Sequence, residues 1–448
     1  MKKLLLLLTI ATLGLAASAQ NKYVGGDISL LTKYETNGAK YFDKDGVAIT
    51  DMLSFLKKQK LNSMRVRLFV DPTKGTDRAA CQDLDYVIAL GKRIKDAGFS
   101  FMLDFHYSDT WADPSNQWTP DAWKNMSDTE LYTQIYNYTK SCLDEIVKAG
   151  ATPDFIQIGN EISYGMLWGT KTSSTLKKYY AGNSSNRTRF ITLLKKAGEA
   201  CREVCPDAKI IIHTERVANA NYLESFYKEM DSNGVDYDIA GISYYPYDHG
   251  TLEQLETALG KLETGISKPI MLVETGYYYA WQKTVEYGAD LSATYPITPD
   301  GQKAYTIALI DLLNKHERVI GLYWWWLEAC ENGLDWNTKR VSDGWYNASL
   351  FNDAEKIKGK DGITYNYPAG YVMPALYELK NFLPNGGIIA GDANSDGTVN
   401  VTDVVAVVNY IMGNEPANFN KTAADMTNDG DINVTDIVKI VNVIMGNN

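Results

Sequence analysis

The chain contains few cysteines and histidines and no excess of basic charge. Only 5 cysteines and 4 histidines occur in 448 residues, and the cysteines are widely spaced. This spacing excludes a disulfide scaffold or a cysteine-rich zinc site, and favours cysteines that are small buried hydrophobic residues. The formal net charge is -11 and no basic stripe is present, which argues against a nucleic-acid-binding protein.

Long apolar runs are also missing, with one exception at the N-terminus. Lys2 and Lys3 precede the apolar stretch 4–17, and Ala17-Ser18-Ala19 forms a small-x-small cleavage site. The stretch is too short for a confident membrane span, and no second one follows. We therefore expect residues 1–19 to be a signal peptide that is cut after Ala19. The mature protein is then secreted or associated with the cell surface.

The main body alternates between strand-like and helical patterns. Eight short apolar, β-branched runs are found at Gly26–Leu31, Ser63–Val70, Ser100–His106, Asp154–Glu161, Lys209–Thr214, Asp238–Tyr245, Pro269–Thr275 and Val319–Leu327. Helical patterns lie between them at Ile49–Lys60, Cys81–Ala97, Thr129–Ala149, Arg187–Val204, Leu252–Leu262 and Thr298–Lys315. This order predicts an α/β protein with a (β/α)8 TIM barrel. The first strand lacks a glycine-rich phosphate fingerprint after it, which disfavours an open doubly wound sheet.

Two glutamates close strand-like runs in this body. Glu161 ends the stretch that begins at Asp154, and Glu274 ends the stretch that begins at Pro269. Burying a charge at such a place is costly without a structural partner, whereas catalytic side chains of TIM barrels come from the carboxyl ends of the strands. Two carboxylates that converge on one cleft are what glycosidic bond hydrolysis requires.

The composition changes after Pro384, and residues 391–448 contain an internal repeat. Each copy has oxygen ligands at the spacing of a calcium loop, with glycine at position 6 and aspartate at position 12. The predicted ligands are Asp392, Asn394, Asp396, Thr398, Asn400 and Asp403 in the first loop, and Asp425, Thr427, Asp429, Asp431, Asn433 and Asp436 in the second. An apolar helical pattern follows each loop, at Val404–Met412 and Ile437–Met445.

This repeat resembles a dockerin, because each loop has a single helix and ends in aspartate where an EF-hand carries glutamate. Thr427 replaces the usual Asp or Asn at position 3, so the second site is expected to be the weaker. The chain is thus divided into a signal peptide (1–19), a catalytic barrel (20–384), a linker (385–390) and a small α-helical dockerin-like domain with two calcium loops (391–448).

From Gly25 to about Phe351 the chain resembles glycoside hydrolase family 53, the arabinogalactan endo-β-1,4-galactanases. The matching segments are Gly25-Gly-Asp-Ile-Ser29, Asn62-Ser-Met-Arg-Val-Arg67, Asp104-Phe-His-Tyr-Ser-Asp109, Trp111-Ala-Asp-Pro114, Gln157-Ile-Gly-Asn-Glu-Ile162, Gly165-Met-Leu-Trp168, Ser243-Tyr-Tyr-Pro-Tyr247, His249-Gly-Thr-Leu252 and Val273-Glu-Thr-Gly-Tyr277. The resemblance implies a retaining barrel hydrolase that cleaves within the β-1,4-galactan side chains of pectin, the type I arabinogalactans.

The resemblance also implies roles for individual residues. Glu161 would be the general acid/base and Glu274 the nucleophile, and Asn160 would bind the sugar 2-hydroxyl. Arg65 would keep Glu274 ionised, and Tyr245 would orient it. The remaining substrate-binding residues would be His106, Asp109, Trp111 and His249. A tryptophan of the run 324–326 would form the platform under the cleaved sugar, and Trp325 is favoured.

Several alternatives remain open at this point. Gly-Asn-Glu161 also fits another retaining barrel glycosidase, a β-mannanase or an endoglucanase, and the repeat fits a non-catalytic carbohydrate-binding or scaffold protein. The tail would bind calcium as a structural ion and dock on a cohesin-like protein, or serve as a cap or tether. Some bacterial relatives bind calcium in the region matching Glu331–Asn347, although no ordered ligand spacing occurs here. No cofactor is needed for the chemistry itself.

Overall fold

The computed structural model describes residues 21–179, 184–281, 284–285, 287–342, 346–416 and 419–446. The predicted signal peptide, residues 1–19, lies outside these ranges. Eight parallel strands form a closed barrel in which each strand pairs with its neighbours in chain order, and the first strand pairs with the last. The predicted (β/α)8 barrel is therefore confirmed.

The barrel strands are β1 (Tyr23–Asp27), β2 (Ser63–Leu68), β3 (Ser100–Phe105), β4 (Phe155–Ile158), β5 (Lys209–Thr214), β6 (Ile239–Tyr244), β7 (Ile270–Thr275) and β8 (Val319–Trp324). The helices around them are α1 (Leu31–Asn37), α2 (Met52–Lys58), α3 (Leu84–Asp96), α4 (Asp128–Lys148), α5 (Ser184–Val204), α6 (Ala220–Ser232), α7 (Pro246–His249), α8 (Leu252–Gly265) and α9 (Pro299–Leu313). Two-stranded hairpins pair Tyr41–Phe42 with Ala48–Ile49 and Lys356–Lys358 with Thr364–Asn366.

Six of the eight predicted strands end earlier in the structure than the sequence pattern indicated, and β1, β4 and β8 do so by three residues or more. Strand β1 covers Tyr23–Asp27 rather than Gly26–Leu31, because Leu31 begins α1. Gly25 allows β1 to approach β2 closely, since a Cβ at this position would lie 1.6 Å from the carbonyl oxygen of Ser63. Strands β4 and β8 end at Ile158 and Trp324, so Glu161 and Trp325 lie in the loops that follow these strands.

The helices cover the outside of the barrel with amphipathic faces. Helix α3 buries Val87, Leu90 and Ile94, which recur at helical spacing, and Asp83 caps its first turn by accepting a hydrogen bond from the N–H of Tyr86. Helix α6 was missed in the sequence. It buries an apolar face with the same helical spacing, made of Leu223, Phe226, Tyr227 and Met230.

The C-terminal domain contains α10 (Val401–Ile411), the short α11 (Lys421–Ala424) and α12 (Val434–Ile444). Its buried hydrophobic residues are few and small, namely Ala393, Ala406, Val407, Ala424 and Ile440. The predicted single helix after each loop is present. Each helix begins earlier than predicted because Asn400 and Asn433 cap its first turn.

All five cysteines are free thiols, and Cys142, Cys201, Cys205 and Cys330 are buried while Cys81 is half-buried. Burial raises the pKa of every one of these thiols. Over the same described ranges, no helix has both the length and the apolar composition that crossing a membrane would require.

Candidate active site

The carboxyl ends of the barrel strands open into a cleft with a volume of about 860 Å³. It is lined by Trp111, Ala112, Asp113, Pro114, Ser115, Asn160, Glu161, Tyr164, Glu215, Arg216, Ala218, Asn219, Tyr245, Tyr247, Asp248, His249, Glu274, Tyr278, Tyr287, Trp325 and Tyr346. The structure thus brings Glu161 and Glu274 together, from opposite parts of the sequence, in the wall of one sugar-sized cavity.

Glu161 reaches the cleft through a sharp turn after β4. Gly159 has a φ of 97° and Glu161 itself has a φ of 47°, in the left-handed region that non-glycine residues rarely adopt. The N–H of Glu161 lies 3.3 Å from Nδ1 of His213, and the nearby Ser243 hydroxyl acts to lower the pKa of its carboxyl. Backbone strain at this position is a feature of functional sites, where surrounding contacts hold an unfavourable conformation.

Glu274 lies in β7 and is held by two neighbours. The Arg65 Nη2 atom lies 2.9 Å from its Oε1 atom, and the Tyr245 hydroxyl donates a hydrogen bond of 3.0 Å to its Oε2 atom. Both partners favour the ionised carboxylate. The geometry expected for Arg65 and Tyr245 beside Glu274 is therefore present.

Arg65 is fully buried, below the cleft floor rather than in its lining. The same guanidinium lies 3.1 Å from Asp27 and 2.7 Å from Asp104, and donates to Asn160 Oδ1 at 2.9 Å. Barrel register explains this cluster, because Asp27 lies opposite Arg65 and because Asp104 lies opposite Gln157 in the same layer. Sequence reasoning assigned no role to Asp27, Asp104 or Gln157, although all three belong to the quoted motifs.

Hydrogen bonds hold both the oxygen and the nitrogen of the Asn160 side-chain amide. Its Oδ1 atom accepts from Arg65, and its Nδ2 atom donates to the carbonyl of Ala112 at 2.8 Å. It lines the cleft next to Glu161. Its orientation is thus fixed before any sugar binds.

Trp325 is the tryptophan of the 324–326 run that lines the cleft. Trp324 is fully buried and donates its indole N–H to Ala348, while Trp326 packs against Tyr346. The Trp325 and Trp111 rings lie 6.0 Å apart, and the buried Arg67 guanidinium lies 4.8 Å from the first ring and 4.6 Å from the second. This cation supports both rings from below.

Three histidines, the predicted His106 and His249 together with His213, contribute as neutral hydrogen-bonding groups, and they differ in position. His106 and His213 are buried beneath the cleft, and burial lowers the pKa of each. His249 lines the cleft, and burial lowers its pKa to about 3. Nδ1 of His106 accepts from the N–H of Ala112, and Nδ1 of His249 accepts from that of Tyr245.

Asp109, which is predicted to bind substrate, does not line the cleft. Its Oδ2 atom accepts a hydrogen bond of 2.7 Å from the N–H of Asp121, so its carboxylate orders the loop after β3. Trp111, in the same loop, does line the cleft and donates its indole N–H to Asp77 at 2.7 Å.

The pKa values of the two glutamates are both raised, for overlapping reasons. Loss of water contact raises the pKa of Glu161 well above its ordinary value, and the negative charges of Glu274 and Glu215 add to this. Burial raises the pKa of Glu274 to about 7, while Arg65 and Tyr245 act in the opposite direction. Because Glu274 alone has a cation at its side, Glu161 is the carboxyl that keeps its proton to higher pH.

The two loops of the C-terminal domain fit calcium in their donor chemistry. In the first loop, Asp392 and Asp403 are buried, and their oxygens accept from backbone N–H groups that wrap the chain around them. Gly397 has a φ of 92° at the turn that position 6 requires. In the second loop, Asp425 and Asp436 accept from backbone N–H groups in the same way and Gly430 has a φ of 87°, but only Asp436 is buried, while Asp425 is partly exposed.

The loop after β8, where a further calcium was considered, uses its acids differently. Glu331 accepts hydrogen bonds from the N–H groups of Val341 and Ser342, and its own N–H donates to Asp353. Among the described residues of this loop, 331–342 and 346–347, no group of three or more His, Cys, Asp or Glu side chains is arranged to hold a metal ion.

Comparison with known proteins agrees with this geometry. Residues 23–359 match the model of glycosyl hydrolase family 53, and residues 390–445 match the dockerin type I domain. An uncharacterised protein of Niallia circulans is 34% identical over 339 residues, covering 73% of this chain and 89% of that protein. A probable arabinogalactan endo-β-1,4-galactanase A of Neosartorya fischeri is 33% identical over 361 residues, covering 76% and 96%.

A solved structure is similar over the same region. The GH53 catalytic domain of Ignisphaera aggregans has 30% sequence identity and a TM-score of 0.68, over 81% of this chain and 97% of that domain. The chain therefore belongs to glycosyl hydrolase family 53 and carries a dockerin type I domain at its C-terminal end.

Proposed function

We propose that this protein is an endo-β-1,4-galactanase that hydrolyses the galactan of type I arabinogalactans with retention of configuration. The observation that carries the proposal is the placement of Glu161 and Glu274 in one cleft, beside the Trp325 platform. The names of the galactanase relatives supply the substrate. Divisions at residues 20–384, 385–390 and 391–448 are proposed as its catalytic barrel, linker and dockerin-like domain.

In the first step, Glu274 attacks the anomeric carbon of the sugar over Trp325. Arg65 and Tyr245 hold this carboxylate ionised and fix its orientation. Glu161 donates its proton to the leaving oxygen, and its raised pKa keeps that proton available near neutral pH. Asn160, whose amide is fixed by Arg65 and Ala112, binds the 2-hydroxyl as the transition state develops.

In the second step, water releases the sugar from Glu274. Formation of the glycosyl ester removes the charge of Glu274, so the pKa of Glu161 falls and its carboxylate becomes a base. Glu161 then takes a proton from the water, which attacks the anomeric carbon opposite Glu274, from the face that the leaving sugar has vacated. The result is retention, because the configuration is inverted twice.

The test is product analysis on four substrates: linear β-1,4-galactan, arabinogalactan, mannan and carboxymethylcellulose. We expect reducing ends from the two galactans alone, with oligosaccharides of several lengths early in the reaction. Proton NMR of the first product should show the β-anomer before mutarotation. Release from mannan or cellulose, or an initial α-anomer, would contradict the proposal.

For the C-terminal domain we propose that two structural calcium ions bind to the loops 392–403 and 425–436. The side chains of Asp392, Asp403, Asp425 and Asp436 would hold them, with the intervening amide, hydroxyl and carboxylate oxygens completing each shell. Such ions would neutralise carboxylates that the loops bury, and so order the helices that follow.

We further propose that the domain attaches the exported enzyme to a cohesin-like protein. Both helices expose the same apolar side chains. Val401, Val405 and Met412 are 65%, 53% and 64% exposed, and Val434, Val438 and Met445 are 65%, 53% and 66% exposed. Such a patch on a small domain is typical of a protein-binding surface. A pull-down from culture surface extract should capture a partner with calcium, and lose it with EGTA or with the Val405→Asp/Val438→Asp variant.

A further inference from the structure

A second group of polar side chains lies in the cleft wall next to Glu161, and the mechanism above leaves it unused. Ser163, two residues after Glu161, donates a hydrogen bond to Glu215, which follows β5. Glu215 acts on the charge of Glu161, whereas the charges that act most on Glu274 are those of Arg65, Asp104 and Asp27. This group therefore lies on the acid/base side of the cleft.

Arg216 is the centre of this group. Its guanidinium lies 5.0 Å from the Tyr164 ring and 4.9 Å from the Tyr222 ring, and the Tyr222 hydroxyl donates to the carbonyl of Ser163. The two aromatic faces fix the guanidinium plane. The side chain is 28% exposed and lines the cleft, so its outer donors face the cavity.

Arg216 also has fewer hydrogen bonds than a buried structural arginine of this protein. Its nearest acidic oxygen, Glu215 Oε1, is 3.9 Å away, and its Nε atom has no hydrogen-bond partner among the described residues. By contrast, Arg189 donates to Asp128 and to the carbonyls of Met166 and Leu167. The donors of Arg216 are positioned yet largely unused within the protein.

We propose that Arg216, held between Tyr164 and Tyr222 and faced by Glu215, binds the sugar unit that leaves in the first step. This proposal rests on the proposed galactanase function. Glu161 protonates the leaving oxygen, so the leaving sugar has to contact the wall beside Glu161. Guanidinium donors and carboxylate acceptors bind sugar hydroxyls, and the exposed part of the Tyr164 ring, which lines the cleft, would contact the apolar face of the sugar.

The experiment compares Arg216→Ala with the wild type on two probes, β-1,4-galactotetraose and 4-nitrophenyl β-1,4-galactotrioside. The nitrophenyl group has no hydroxyls for Arg216 to bind. We expect kcat/KM for the tetraose to fall about 10- to 100-fold, the size of a lost hydrogen bond to a charged group. For the aryl trioside, kcat/KM should change by less than about 2-fold. Transfer to added galactobiose should fall in parallel, because the acceptor would occupy the same place.

Arg187→Ala is the matched control, since Arg187 is half-exposed, has one acidic neighbour (Glu229 at 3.3 Å) and lies outside the cleft lining. Arg216→Lys, which keeps the charge and loses the fork of donors, should give an intermediate loss on the tetraose. Equal losses on both probes, or no loss on either, would overturn the proposal in favour of a purely structural clamp. A wild type that releases nothing from galactan would instead defeat the proposed function.

Discussion

In the barrel, the buried carboxylates of Asp27 and Asp104 face the guanidinium of Arg65, whereas in the C-terminal domain the buried carboxylates of Asp392 and Asp403 face backbone N–H groups. The first region carries its own counter-charge and is surrounded by a large core. The second has a small core of mostly alanine and valine. In the barrel the protein itself supplies the counter-charge of these carboxylates, whereas in the small domain we propose that a bound cation supplies it.

The largest expected effect is on catalysis, and it should be confined to the barrel. Glu274→Gln removes the nucleophile and should reduce kcat on galactan by at least the roughly 10²- to 10⁴-fold that a general acid or base contributes. Calcium binding by the tail, followed by calorimetric titration, should be unchanged. Glu145→Gln, an exposed glutamate in α4, is the control and should retain full activity. Near-normal turnover by the Glu274 variant would show that another group attacks the sugar.

The next effect is on thermal stability, and it should be confined to the C-terminal domain. EGTA should remove the unfolding transition of the C-terminal domain from a calorimetric scan, and leave the barrel transition and galactan kcat unchanged. Calcium at about 1,000 times its Kd stabilises the folded domain by about 4 kcal/mol. A shift of the barrel transition on chelation would mean that the barrel also depends on a bound ion, and the loop 331–347 would be the first place to look.

A smaller effect concerns the pH dependence of the barrel. The Tyr245 hydroxyl lowers the pKa of Glu274 by hydrogen bonding its charged form. Tyr245→Phe should therefore raise that pKa, and the acidic limb of the kcat/KM profile should move to higher pH by about one unit, equivalent to about 1.4 kcal/mol.

Tyr247→Phe is the matched control, because Tyr247 packs 5.5 Å from the Tyr245 ring in the same wall. It should leave the acidic limb in place. The alkaline limb, which reports loss of the Glu161 proton, should stay unchanged in both variants. A shift toward lower pH in Tyr245→Phe would contradict the sign of this hydrogen bond.

The smallest effect distinguishes the two calcium loops from each other. Thr427 occupies position 3 of the second loop, where the first has Asn394, and its hydroxyl donates to Asp425 and lies 3.1 Å from Asp436. Thr427→Asp adds a charged ligand and should tighten calcium about 3- to 10-fold at that loop. The reciprocal Asn394→Thr should weaken the first loop. Equal affinities before and after both changes would show that position 3 does not set the difference.

Sequence pattern predicted the barrel because its signal is repeated eight times and each strand is nearly continuous in apolar residues. It predicted the ends of the strands less well. Glu161 and Trp325 look like strand residues, yet both follow turns, and Glu161 takes a left-handed conformation that no local propensity favours. Tertiary contacts from His213 and Ser243 hold it there.

The candidate site was predictable where a residue belongs to a motif at a strand end, and less so elsewhere. Arg65 and Tyr245 lie against Glu274 as expected, but Arg65 supports the site from below. Glu215 and Arg216 follow β5 without a recognised motif, so their place beside Glu161 emerges from barrel closure alone. Asp109 belongs to a recognised motif that predicts a place in the cleft, yet its carboxylate accepts a hydrogen bond from the N–H of Asp121.

The unpaired thiols have a practical consequence for measuring how the two domains move. Because four of the five are enclosed by the barrel core and the fifth is half-covered, native cysteines should react slowly with maleimides at neutral pH. A cysteine placed at an exposed tail position outside the apolar side chains of α10 and α12, such as Asn414→Cys, should then accept a fluorophore selectively. Tail motion and partner capture become observable by single-molecule fluorescence on a chain that keeps all five of its own cysteines.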